Sequence, residues 1–186
     1  MRIVATEIPG VMELLAEPRP DARGFTLKTF EENVFAQAGL PIRFAEALHT
    51  YSKRGVIRGM HFQTPPSIQG KAVYCVHGGV FDVVLDLRFG SPSYLRFITR
   101  ELSRQAGNGL YVPEGCAHGF CVLGDEAVVA YLLTTSFVAG NDAGVLWNSF
   151  GVEWPVTGPN LSDRDQVLIP LADFVSPFEY EDPACA

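Results

Sequence analysis

Between residues 43 and 135 the sequence breaks every few residues, and each break is made of turn chemistry. Apolar or alternating stretches fall at 44–51, 55–62, 71–77, 79–87, 95–102, 109–112, 119–123 and 127–135. Between them stand Thr64-Pro65-Pro66, His77-Gly78-Gly79, Phe89-Gly90-Ser91-Pro92, Pro113-Glu114-Gly115 and Gly124-Asp125. Proline fixes φ and removes a donor, and glycine admits positive φ, so each cluster ends a strand. No helical stretch of about 10–15 residues alternates with the strands, which argues against a parallel α/β sheet. Short strands at this spacing predict an all-β antiparallel sandwich or barrel.

The flanks add less. Residues 3–8 and 11–15 read as short strands, Arg19-Pro20-Asp21-Ala22-Arg23-Gly24 as a turn, and 25–30 as an alternating run. The best helix candidate of the first half is 31–38, stopped by Gly39 and Pro41. Beyond 140 the chain is loop-rich, with Ser162 placed to cap a short helical turn and Asp165 at the box position. Residues 170–186 read as a peripheral tail. A length of 186 residues suits one domain, 1–186, with a few short peripheral helices.

The formal net charge is -7, from 14 basic and 21 acidic side chains, which argues against a general nucleic-acid binder. A local cluster of cations for a small anionic ligand remains compatible with it. The four cysteines, Cys75, Cys116, Cys121 and Cys185, form no CxxC pair and read as reduced thiols of a cytoplasmic protein. No apolar run approaches the ~20 residues of a membrane span. The first residues show no signal-peptide pattern.

Gly107, Pro113, Gly115 and His118 are spaced as in the second motif of cupins, which are double-stranded jelly rolls. This spacing turns His118 toward a barrel interior. Metal-binding cupins also use an HxH pair, but here Gly59 and Gln63 flank His61 at those positions. A three-histidine site would need His49 or His77, each a lone histidine. No metal is therefore expected, and His61 and His118 are free to serve as a base and a substrate donor.

Several stretches together resemble the dTDP-4-dehydrorhamnose 3,5-epimerase family. They include Asp21-Ala22-Arg23-Gly24-Phe25, Arg58-Gly59-Met60-His61-Phe62-Gln63, Gly70-Lys71, the run from Asp82 to Pro92, Pro113-Glu114-Gly115-Cys116-Ala117-His118, Tyr131 and Ser162-Asp163-Arg164-Asp165. Each motif is weak alone; their order along the chain is specific. The resemblance implies a cupin-like jelly roll without cofactor, a homodimer, and exchange of the 1–30 strands as an option. It implies a nucleotide-linked 4-keto-6-deoxyhexose as substrate, with dTDP the first choice of carrier. The sugar's own ketone acidifies the neighbouring C–H bonds, so the reaction needs only a base, a holder for the enolate oxygen and an acid on the opposite face. By the same resemblance His61 is the base, Asp165 its partner, Lys71 the cation at the ketone and Tyr131 the proton donor. Arg23, Arg58, His118, Arg164 and Asp142 match substrate-binding positions.

The chain departs from the family at recognition positions. Lys28 replaces a common glutamate, Glu46-Ala47-Leu48 replaces Gln-Asp-Asn, and Phe137 replaces a common tyrosine. Lys28, Glu46 and Leu48 are therefore expected to contact substrate differently. An unmade hydrogen bond to a buried ligand group costs on the order of 1–3 kcal/mol. The alternatives are a single-centre epimerase of an antibiotic or surface-polysaccharide deoxysugar pathway, a non-catalytic sugar-nucleotide-binding jelly roll, and a metal-dependent cupin.

Overall fold

The computed structural model describes residues 1–181. Cys185 lies outside the described residues. The strands are β1 (Arg2–Ala5), β2 (Met12–Leu15), β3 (Arg19–Asp21), β4 (Gly24–Thr26), β5 (Glu46–Lys53), β6 (Ile57–Gln63), β7 (Lys71–His77), β8 (Gly79–Asp86), β9 (Phe97–Ser103), β10 (Asn108–Val112), β11 (Cys116–Val122), β12 (Glu126–Leu133) and β13 (Asp142–Gly144). Two short helices, α1 (Glu32–Gln37) and α2 (Asp163–Gln166), accompany them.

The strands form a six-stranded sheet in the order β1-β2-β10-β7-β12-β5 and a five-stranded sheet in the order β13-β6-β11-β8-β9. All their named pairings are antiparallel. This is the expected all-β jelly roll. Val73, Leu110 and Val129 of one sheet meet Val84, Ile98 and Phe120 of the other in one apolar core. Each fully buried side chain of this size contributes roughly 1.5–3 kcal/mol. A second cluster, built on Met60, Phe62 and Leu85, covers the outer face of the five-stranded sheet.

Several strand bounds differ from the sequence reading. Strand β11 begins at Cys116, not 119, and all its residues are buried. A strand covered on both faces shows no alternation, so its start is hidden. The 19–24 turn is a two-stranded hairpin with Asp21 opposite Gly24, and its second strand stops at Thr26 instead of 30. The loop-rich region after 140 contains β13, whose three residues are too few to display a period. Residues 171–181 are less peripheral than expected: Phe178 is buried, its ring meets Phe62 edge-on, and Phe89 bridges Glu179.

Strands β6 and β11 approach closely where Gly59 faces Gly119. A Cβ on Gly59 would lie 2.5 Å from the Gly119 Cα, and Gly59 has φ 142. The ladder shifts register between His118 and Phe120, leaving His118 directly opposite His61. Directly paired residues share a face. Two glycines and a bulge thus bring two histidines side by side.

Candidate active site

A cavity of ≈ 440 Å³ opens between the sheets, where β5 and β12 face β6 and β13. Its lining includes Arg58, His61, Lys71, His118, Tyr131 and Asp142. Glu46, Leu48 and Thr50 reach it from alternate positions of β5, which leaves His49 on the other face. His77 is also elsewhere, 3.2 Å from Glu126 on the surface. Among the described residues no three His, Cys, Asp or Glu side chains converge as a metal site.

His61 is backed by α2. Ser162 caps that single turn by accepting the Asp165 N–H at 3.1 Å, as its position in the sequence suggested. The turn presents the buried Asp165 carboxylate, whose Oδ1 lies 2.6 Å from His61 Nε2. The Gly59 N–H donates to Oδ2 at 3.3 Å, and Arg164 stands 3.7 Å from Oδ1. Burial acts to raise the Asp165 carboxyl, but the hydrogen bond and charge of His61, then Gly59 and Arg164, outweigh it and hold it below the usual range. Burial lowers His61, and Asp165 only partly opposes it. At neutral pH this describes an anionic Asp165 holding a neutral imidazole, the protonation state of a base.

Lys71 starts β7 on the opposite sheet. It is buried, and its Nζ donates to the His61 carbonyl at 3.3 Å. Burial lowers it to about 8, against the pull of Asp142 and Asp82. Tyr131 lies on β12, and its ring meets that of His118 edge-on at 6.1 Å between centroids. Burial, then the charge of Asp82, push its hydroxyl well up, so it stays protonated. The candidate base and the candidate acid therefore line the same cavity from different sheets.

Polar side chains surround them. Arg58 is oriented by the Ser52 hydroxyl at 2.9 Å and the Tyr51 carbonyl at 3.2 Å. Arg164 pairs with Asp142 at 2.8 Å. The Glu46 carboxylate accepts the Phe137 N–H at 2.9 Å, which fixes the segment carrying Phe137 at the cavity edge. Leu48 and Phe137 offer exposed apolar surface there. Within one chain, Arg23 and Lys28 do not join this group. Arg23 is 89% exposed beside Asp21 at 2.6 Å, and Lys28 pairs with Glu31 at 2.9 Å.

Three neighbours went unassigned in the sequence reading. Gln69 and Thr50 line the cavity. Asp82 is fully buried behind His118, with Oδ2 2.8 Å from its Nε2. Its one sequence signal is an acid inside the apolar run Val80-Phe81-Asp82-Val83-Val84, where an unpaired charge would be costly.

The model of the dTDP-4-dehydrorhamnose 3,5-epimerase family matches residues 5–173. The chain is 43% identical over 170 residues to the dTDP-4-dehydrorhamnose 3,5-epimerase of Shigella flexneri, covering 89% of this chain and 93% of the relative. It is 42% identical over 176 residues to the dTDP-4-dehydrorhamnose 3-epimerase of Streptomyces niveus, covering 93% and 85%. It is similar to the crystal structure of a dTDP-6-deoxy-D-glucose-3,5-epimerase from Legionella pneumophila in complex with dTDP-4-keto-L-rhamnose, with TM-score 0.91 and 29% identity, covering 97% and 99%.

Proposed function

The chain belongs to the dTDP-4-dehydrorhamnose 3,5-epimerase family, and from that footing we propose that it epimerises a dTDP-linked 4-keto-6-deoxyhexose at C3, C5 or both, in deoxysugar biosynthesis. The observation that carries this reading is the placement of His61 and Tyr131 on facing sheets with Lys71 beside them.

The roles follow from the chemistry. Nε2 of His61 is engaged with Asp165, so Nδ1 takes the proton from the carbon beside the ketone. The C–H electron pair moves onto the C4 oxygen as an enolate. The Lys71 ammonium stabilises that oxygen more than the ground-state ketone, which lowers the barrier. Tyr131 returns a proton to the carbon from the opposite face, inverting it. The His61 proton leaves to solvent and the Tyr131 phenolate regains one, so no group is consumed. Arg58 and Arg164 suit the diphosphate through paired N–H donors. Glu46, Leu48 and Phe137 line the rim and shape what is accepted there.

Arg23 and Lys28 have a place in this scheme only across a dimer. Arg23 sits in the β3–β4 hairpin, which pairs with neither main sheet, and Lys28 follows just after β4. We assign the hairpin to the cavity of a second copy, making the enzyme a homodimer that exchanges β3–β4 while β1 and β2 stay in their own chain's sheet. A cytoplasmic location fits three buried free thiols, Cys75, Cys116 and Cys121.

The test is direct. Purified protein is incubated with dTDP-4-keto-6-deoxyglucose, and the sugar configuration is read by NMR at C3 and C5. Inversion at either carbon is the expected result; unchanged configuration at both overturns the assignment for this substrate.

A further inference from the structure

His61 and His118 are register partners, and each has its Nε2 engaged by a buried carboxylate. The carboxylates are supported very differently. Asp165 receives the Gly59 N–H and faces the Arg164 guanidinium besides His61. Asp82 has one hydrogen-bond partner, His118, and its Oδ1 is buried without one; Lys71 acts on it through charge alone. Burial is not by itself the reason, because Asp86, on the same strand and equally buried, is saturated by Arg88, Ser91 and Ser93. Among the described residues Asp82 Oδ1 is one of two buried polar side-chain atoms without a hydrogen-bond partner; the other, Thr50 Oγ1, lies near the Tyr131 hydroxyl. Such orphans are uncommon and ask for a reason.

We propose that the two histidine–carboxylate pairs hold different numbers of protons: His61 Nδ1 is bare and acts as base, whereas His118 Nδ1 keeps a hydrogen and is a fixed donor to a ligand oxyanion, with Asp82 as its positioning residue. A neutral His118–Asp82 pair is either carboxylate with imidazolium or carboxylic acid with imidazole. In both forms Nε2 is engaged with the carboxyl, so Nδ1 carries hydrogen. Only a pair of net charge -1 bares Nδ1. A fully buried carboxylate that accepts one hydrogen bond cannot hold that charge cheaply. Burial raises Asp82 despite the charge and hydrogen bond of His118 and the charge of Lys71, in agreement. The Asp165 pair has the extra donors that a net negative charge requires.

His118 Nδ1 makes no hydrogen bond among the described residues and is not a buried orphan, so it opens on the cavity that His118 lines. Around it stand Lys71 from β7, Tyr131 from β12, and Arg58 and His61 from β6. A hydrogen on Nδ1 adds a donor beside these cations. The inference rests on the epimerase reading for the identity of the oxyanion, a diphosphate or sugar oxygen. It does not rest on it for the proton count.

The experiment uses full-length protein labelled with 15N-histidine, without ligand, at neutral pH. NMR is expected to show His118 Nδ1 protonated and His61 Nδ1 unprotonated, assigned with His61→Gln. A bare His118 Nδ1 overturns the proposal. Asp82→Asn is expected to bare it, weaken dTDP binding about tenfold or more, and leave the His61 signal in place. Unchanged dTDP affinity in a variant whose spectrum shows Nδ1 bared also overturns it. If Asp82→Asn does not fold, the wild-type spectrum decides alone. A correct spectrum without epimerisation would strike the proposed function and not the proton count.

Discussion

His61 Nε2 and Asp165 Oδ1 lie 2.6 Å apart although 104 residues separate them in the chain. A strand supplies the ring and a single capped turn supplies the carboxylate. The pairing fixes which nitrogen faces the substrate and stabilises the imidazolium formed on proton abstraction. Asp165→Asn keeps the shape and removes the charge. Turnover is expected to fall about 10²–10⁴-fold with folding retained, measured by NMR assay and circular dichroism. Activity within twofold of wild type, on the order of RT ln 2, would remove Asp165 from the mechanism.

The pH profile follows from two groups. His61 must be neutral, and burial lowers it, so activity rises with pH through a value below the usual imidazole range. Lys71 must be charged, and burial lowers it to about 8, so activity falls as pH rises through that value. A plot of kcat/KM against pH reports the free enzyme. A bell with its alkaline limb near pH 8 is expected; a limb only at ordinary lysine pH would contradict the assignment. Lys71→Met should lose the alkaline limb together with most activity.

Tyr131→Phe separates the two half-reactions. Its base is intact, so the carbon still loses its proton and exchanges with solvent. The opposed acid is missing, so reprotonation returns to the original face. Solvent hydrogen should enter the sugar with the configuration retained. Full inversion at wild-type rate would assign the acid elsewhere.

Gly119→Ala tests how the site is aligned. The new Cβ would meet Met60 Sδ at 2.7 Å and the Arg58 carbonyl at 2.9 Å. Backbone must move between the two histidines. A loss of about 1–3 kcal/mol is expected by denaturant titration, with reduced kcat. Wild-type stability and kcat would show that the close approach is unimportant.

Arg23 tests the dimer. Arg23→Ala and His61→Ala homodimers should each be impaired. Unfolded together and refolded, they form mixed dimers in which one site has both residues. Recovery of activity is expected if Arg23 acts on the partner's cavity, and none if it acts within its own chain.

Much of this was legible in the sequence. Proline and glycine clusters marked the strand ends, and Ser162 marked the α2 cap. The resemblance pointed to His61, Asp165, Lys71 and Tyr131, and the fold brings these four together around one cavity. Asp82 escaped assignment because its meaning lies in a partner 36 residues away and in a missing hydrogen bond. Strand β13 escaped because three residues carry no period. Arg23 was readable as a motif, but its distance from the cavity of its own chain is a property of the fold.

The central claim is proton abstraction by His61 next to the sugar ketone. The most direct measurement is hydrogen exchange in heavy water with dTDP-4-keto-6-deoxyglucose, followed by NMR at C3 and C5. Wild-type protein is expected to introduce deuterium at one or both carbons, and His61→Ala to introduce none above the enzyme-free rate. Exchange by His61→Ala at the wild-type rate would contradict the account.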